Sequence, residues 1–199
     1  MVEQLFLKPL ANSALVNTPA LCIETAGVVG NHIQHPWKQL LLLPQSTLDT
    51  FAIQAGQLKE DIVLNTAFDL HDLPSGTVVQ IGSVQLRLTF HCEPCSKIKH
   101  LANIKKIVHH RGYHSQVLKG GDIRLGDTVK VLAERHEAIP YGLADRIKWY
   151  LDKHPTAILV ADLVNAIGLS SSYCRAVPNS IRHRLDIDKN LILYKNKRS

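Results

Sequence analysis

The sequence predicts an α+β protein, with a mainly β, barrel-like domain over residues 1–134 and a small helical domain over 135–199. Apolar residues in the first part come in short runs bounded by Gly and Pro, which is how strands are written. From about Arg135 the apolar period changes to helical spacing. The charge balance changes at the same place, from 12 Lys/Arg against 11 Asp/Glu before it to 11 against 6 after it. A basic appendage on a near-neutral body points to an anionic partner for the tail.

In the first domain, Leu21 to Thr25 and Lys38 to Leu43 read as strands, stopped by Gly27-Val28-Val29-Gly30 and by Pro44. Ser46 is a suitable N-cap for a helix to about Ala55, with Leu48, Phe51, Ala52 and Ala55 on one face. Val78 to Ile81 and Val84 to Phe90 form a hairpin across Gly82-Ser83. In its second strand Val84, Leu86, Leu88 and Phe90 alternate with Gln85, Arg87 and Thr89, so one face is core and the other polar. Asp127 to Leu132 is a last strand after the Gly120-Gly121 and Gly126 turns. Numerous short strands favour a barrel or sandwich.

In the second domain, Leu143 to Lys153 and Val160 to Ile167 read as helices, ended by Pro155 and Gly168. Ser170-Ser171-Ser172 offers caps for a third helix to about Arg184, with Pro178 kinking it. Leu191 to Tyr194 is a short strand. That order outlines a winged helix-turn-helix.

Composition removes several classes. No run approaches the roughly 18 apolar residues that cross a bilayer. The start, MVEQLFLKPLANS, lacks the basic and apolar regions of a secretory signal, so a cytoplasmic protein with reduced thiols is expected. Only one of its cysteine pairs is closely spaced, which argues against a disulfide framework.

That pair, Cys92 and Cys95, is the chemical focus of the chain. With His110 and His114 it has zinc-finger spacing, but Gly112 interrupts the helical turn that would carry both histidines. A thioredoxin-like role requires a βαβ surround, and none is written here.

Four ordered blocks resemble the MOSC family, named for the C-terminal domain of molybdenum cofactor sulfurases. They are Gly27-Val28-Val29-Gly30-Asn31-His32; Glu60-Asp61-Ile62 with Leu70, Leu73, Gly76 and Ile81-Gly82; Glu93-Pro94-Cys95-Ser96-Lys97-Ile98; and Arg111-Gly112 with Val117-Leu118, Gly120-Gly121, Ile123 and Gly126-Asp127. Asn31 replaces an acidic residue of the family pattern, and Asp61 stands where Asn is usual. The resemblance implies that Cys95 is the functional thiol, ligating the molybdenum of a pterin cofactor. Thiolate is a soft ligand suited to such a centre. Lys97, Arg111 and Lys119 become candidate phosphate partners, and Gly120-Gly121 a backbone cradle. His32 and His91 become candidate proton donors near the metal, and Cys92 either a second working thiol or a packed residue.

The tail resembles the DNA-binding half of alkylguanine-DNA alkyltransferases and their alkyltransferase-like relatives. Ile139-Pro140-Tyr141-Gly142, Asp162 to Leu169 and Tyr173-Cys174-Arg175-Ala176-Val177 carry that likeness, and by position Arg175 would enter nucleic acid. The nucleophile motif P-C-H-R is absent, which excludes alkyl transfer. The expected function is reduction of N-hydroxylated substrates at a Cys-ligated molybdenum, served by an electron-donor protein. The alternative is a non-catalytic cofactor or sulfur carrier, associated with nucleic acid through its tail.

Overall fold

The computed structural model describes residues 1–10, 14–32, 35–95 and 98–194. The chain forms two compact units, Met1–Ala138 and Ile139–Ser199.

The first unit is built from β1 (Val2–Leu7), β2 (Val16–Asn17), β3 (Ala20–Glu24), β4 (Gly27–Val28), β5 (Leu40–Pro44), α1 (Gln45–Phe51), β6 (Ile62–Leu64), β7 (Thr77–Ile81), β8 (Val84–His91), β9 (Tyr113–Lys119), β10 (Gly121–Arg124) and β11 (Val129–Arg135). Eight strands form one sheet in the order β11-β7-β8-β9-β5-β6-β1-β2, and three form a second, β10-β3-β4. Among the described residues, only β5 and β6 run parallel in the large sheet.

The expected barrel is not closed. The outer strands β11 and β2 do not pair, and β1 meets the turn ahead of β11 through Val2 N–H to Asp127 O and Gly126 N–H to Val2 O. The reason lies in β3 and β10, which pair with each other rather than completing the large sheet. Leu21, Ile23 and Ile123 from that small sheet then cover the core of Leu5, Leu42, Leu64, Val79, Leu86 and Val117. β5 is buried along its whole length. Leu40 and Leu42 enter this main core, while Leu43 joins Leu48 of α1, Val63, Ile98 and Ile107 in a second cluster. A strand buried on both faces reads as an unbroken apolar run, which is what Leu40 to Leu43 is.

Local details depart from expectation. Helix α1 starts on Pro44, not Ser46, and ends early at Ala52, whose φ of 51° lies in the left-handed region. The polar face of β8 is covered rather than exposed. Arg87 lies against the Trp37 ring and donates to Glu137 O, and Thr89 Oγ1 donates to Trp37 O. A bulge between Leu88 and His91 breaks the alternation, so His91 rather than Phe90 pairs with Tyr113.

The second unit contains α2 (Leu143–Lys153), β12 (Ile158–Leu159), α3 (Val160–Ala166), α4 (Val177–Ile181) and β13 (Ile192–Leu193). Its own core joins Ile147, Leu163, Ile167, Val177 and Ile192. The long third helix is absent: Ser171–Arg175 is a 3-10 turn and α4 has only five residues. Pro178, at the start of α4, has no N–H to continue the preceding turn. β12 and β13 pair in parallel over two residues, so the described residues contain no hairpin wing. This unit is mainly helical, and the winged-helix outline is not reproduced.

Its packing centres on a residue that sequence reading passed over. Arg146 is fully buried, and its guanidinium donates to Pro140 O, Tyr141 O and Ile167 O at 2.7, 3.0 and 3.4 Å. Arg146→Ala opens a cavity and strands these carbonyls, and should cost the second unit about 3 kcal/mol. Hydrogen exchange of the α2 amides measures this, and unchanged protection would refute the assigned role.

Candidate functional site

The thiol site forms where the loop after β8 meets the entry to β9. Cys92 N–H donates to Gly112 O at 2.8 Å, which holds the two segments together. Arg111 is buried, and its Nη1 donates to Glu93 O and lies 3.5 Å from Cys95 Sγ. Its Nε is also buried and has no partner among the described residues. A buried guanidinium N–H without an acceptor is costly.

Gly112 makes that geometry possible. Its φ is +97°, and a β-carbon there would stand 2.6 Å from Leu42 O of β5. Its N–H donates to His71 Nε2 at 3.1 Å. His71 must therefore carry its proton on Nδ1, which lies 3.4 Å from Asp69 Oδ1. His71 stacks on His91, with ring centroids 5.8 Å apart, and also meets the edge of His110.

Burial sets the protonation of this region. Desolvation lowers His71 and His91 to about 4 each, assisted for His91 by the neighbouring His71, His109 and His110. Desolvation also drives His114 well below its ordinary range, followed by the charges of Lys38, Lys8 and Arg111. Cys92 is raised because desolvation outweighs the lowering by Arg111, Lys8 and Lys38. Three cations thus bear on one small region.

The two thiols consequently differ. Cys92 is buried and held as a thiol, whereas Cys95 is half-buried beside Arg111. His32 is exposed; its backbone N–H and its Nδ1 both bond Lys8 O. A carbonyl only accepts, so Nδ1 carries a proton in this contact.

Of the residues expected from sequence, Cys95 and Arg111 come together, and Lys97 lies outside the described residues. Lys119, Gly120 and Gly121 are not brought to the thiol. They lie at the far end of β9, which separates them from Arg111 by roughly 25 Å at strand rise. Gly120 is packed against β3, where a β-carbon would sit 2.5 Å from Ile23 O. Arg175 is exposed on the 3-10 turn of the second unit. The zinc spacing is not realised: His114 packs on Phe90, while His110 packs against His71 and Phe51. Among the described residues no three His, Cys, Asp or Glu side chains converge for a metal ion. Sequence reading missed Lys8, Lys38 and His71, because only the fold brings them here from distant segments. A cavity of about 410 Å³ beside α1, lined by Gln45, Asp49, Phe68 and Asp69, lies apart from Cys95.

The profile of the MOSC domain matches residues 30–130, half of the chain, and the chain belongs to the MOSC domain family. Among solved structures it is similar to YiiM from Escherichia coli, at 15% identity and TM-score 0.56, over 97% of this chain and 98% of that one. YiiM from Geobacillus stearothermophilus is similar at 15% identity and TM-score 0.55, over 91% and 100%. The YuaD protein from Bacillus subtilis shows 12% identity and TM-score 0.58, over 68% and 96%. At these identities the likeness is one of fold. No curated protein sequence matches the chain. No helix among the described residues is long and apolar enough to cross a membrane.

The family implies a molybdenum–pterin cofactor, and the residues present fit one. A half-buried thiol is a soft metal ligand, and the unmatched Arg111 Nε with the charges of Lys8 and Lys38 suits an anionic group.

Two outcomes follow. A thiol reagent at neutral pH should modify Cys95 at least about tenfold faster than Cys92, as read by peptide mass spectrometry. Comparable rates would refute the assigned difference. The depressed histidines also give a pH dependence. The unfolded chain protonates them near 6.5, but the folded chain holds His71 and His91 neutral until about 4. Their stabilisation is present above pH 6.5 and is lost as pH falls through 4. His71→Gln should remove about one proton from the uptake on unfolding, flattening the fall in stability between these values. An unaltered slope in denaturant titrations would count against it.

Proposed function

We propose that the chain binds a molybdenum–pterin cofactor through Cys95 and reduces N-hydroxylated compounds with electrons from an outside donor protein. The observation that carries this is the Arg111–Cys95 contact, with a buried Arg111 Nε that has no partner among the described residues. Cys95 would ligate the metal, and Arg111 would bind an anionic group of the cofactor while holding the thiol loop through Glu93 O. The cofactor, when bound, supplies two-electron chemistry at the metal. Substrate reduction converts R–NH–OH, two electrons and two protons into R–NH₂ and water. His32, whose Nδ1 is tied to Lys8 O, would present its exposed Nε2 to substrate. Neutral His114 and buried Cys92 serve packing beneath the site rather than proton transfer. With the Gly120-Gly121 turn packed on β3, the phosphate-binding role falls to Arg111 and its cationic neighbours.

Protein purified from a cofactor-competent host should carry close to one molybdenum per chain. Cys95→Ser and Arg111→Met should lower this at least about tenfold, the loss expected of a ligand or its supporting partner, while Cys92→Ser keeps it. A wild type without molybdenum would remove the proposal. Turnover of hydroxylated bases then separates an enzyme from a carrier, which would hold the cofactor and show none.

A further inference from the structure

His71 sits on the 3-10 turn Leu70–Asp72, far in sequence from the thiol loop. The turn is pinned at its start: Leu70 is fully buried in the main core, and Asp69 Oδ1 accepts the His71 backbone N–H at 2.8 Å. The His71 side chain is 5% exposed. Its ring stacks on His91 and meets His110 edge-on. Nδ1 lies 3.4 Å from Asp69 Oδ1, and Nε2 accepts the Gly112 N–H at 3.1 Å. A buried ring packed on two neighbours and engaged at both nitrogens is confined to one orientation.

The Gly112 N–H lies on the peptide unit that joins Arg111 to Gly112. Peptide units are planar, so the direction of this N–H sets the last backbone dihedral of Arg111. On its other side Gly112 accepts the Cys92 N–H at 2.8 Å, and its α-carbon faces Leu42 O. We infer that His71 is a positioning residue for Cys95: its Nε2 fixes the Arg111–Gly112 peptide, which aims the Arg111 guanidinium at the thiol 3.5 Å away. The influence passes through Gly112 and Arg111. Gly112 is buried, so without the imidazole its N–H has no water to turn to. The peptide then rotates towards another acceptor and carries Arg111 with it.

This positioning stands without any cofactor; only an effect on cofactor loading would rest on the proposed function. Alkylation of Cys95 in the full chain by iodoacetate and by iodoacetamide, read by peptide mass spectrometry, tests it. The reagents are close in size, one anionic and one neutral, so their rate ratio reads the positive charge beside the sulfur. The thiolate fraction cancels in that ratio, and the exposed Cys22 serves as internal reference. A unit charge about 4 Å from the sulfur is worth about fivefold in the ratio, so Arg111→Met should lower it by about that factor. His71→Leu should lower it at least about threefold. His71→Gln, whose amide oxygen reaches the place of Nε2, should keep the wild-type ratio. An unchanged ratio in His71→Leu overturns the inference, as does an equal fall in His71→Gln. So does a wild-type ratio in Arg111→Met, which would leave no guanidinium at the thiol to position. If His71→Leu does not fold, His71→Asn takes its place, since its amide ends near the Nδ1 position and short of Gly112. Nitrogen-15 NMR supplies a second reading. The scalar coupling across the hydrogen bond between the Gly112 nitrogen and His71 Nε2 should be seen in neutral solution, and its absence overturns the assignment.

Discussion

β5 is buried on both faces, and both halves of the candidate site hang from its backbone. On one side, Leu42 O packs so closely on the entry to β9 that only glycine fits at position 112. That contact fixes the backbone next to Arg111. On the other side, Leu41 exchanges hydrogen bonds with Asp61, its N–H donating to the carboxylate and its O accepting the Asp61 N–H. That contact fixes the Asp61 carboxylate, which accepts from Lys8 Nζ and Asn31 Nδ2. A strand that cannot shift without emptying two hydrophobic clusters is a rigid support, since packed interiors do not deform continuously.

The electrostatics follow from this support. Arg111, Lys8 and Lys38 gather around side chains that burial keeps neutral, His114 and Cys92. Asp61 accepts from Lys8, but Arg111 is held by a carbonyl and a sulfur rather than a carboxylate. The Arg111 guanidinium beside Cys95 is the positive charge an anionic, metal-bearing ligand would use. The histidines on the other side of Gly112 act differently. His71 accepts the Gly112 N–H and so has to stay neutral for the Arg111 segment to keep its shape.

The second unit is organised by one buried cation serving backbone carbonyls. Arg146 gathers the segment at Pro140–Tyr141 and the end of α3, and its Cζ lies 5.8 Å from the centre of the Tyr141 ring. The break at Pro178 leaves α4 too short to act as an extended recognition helix. The charge excess of the tail is distributed over exposed side chains such as Arg175 and Arg182, and Arg184 is paired with Asp145 and Asp186.

Much of the architecture was legible in the residues themselves. The Gly82-Ser83 hairpin, β5, α2 and α3 all follow from apolar period and from Gly or Pro stops, because these are short-range steric and solvation effects. Cys95 with Arg111 was legible as motif. What tertiary structure decided was everything set by strand pairing. Whether the barrel closes depends on which strands β3 and β10 choose, and no local pattern encodes that. Whether the polar face of β8 meets water depends on Trp37 crossing it. The glycine pair at 120–121 looked like a phosphate cradle, yet its place at the far end of β9 makes it a packing contact. By itself the sequence determined many of the elements and marked Cys95 as a candidate thiol. The fold determined which charges surround that thiol, because charges thirty to a hundred residues apart meet only after the sheet has formed.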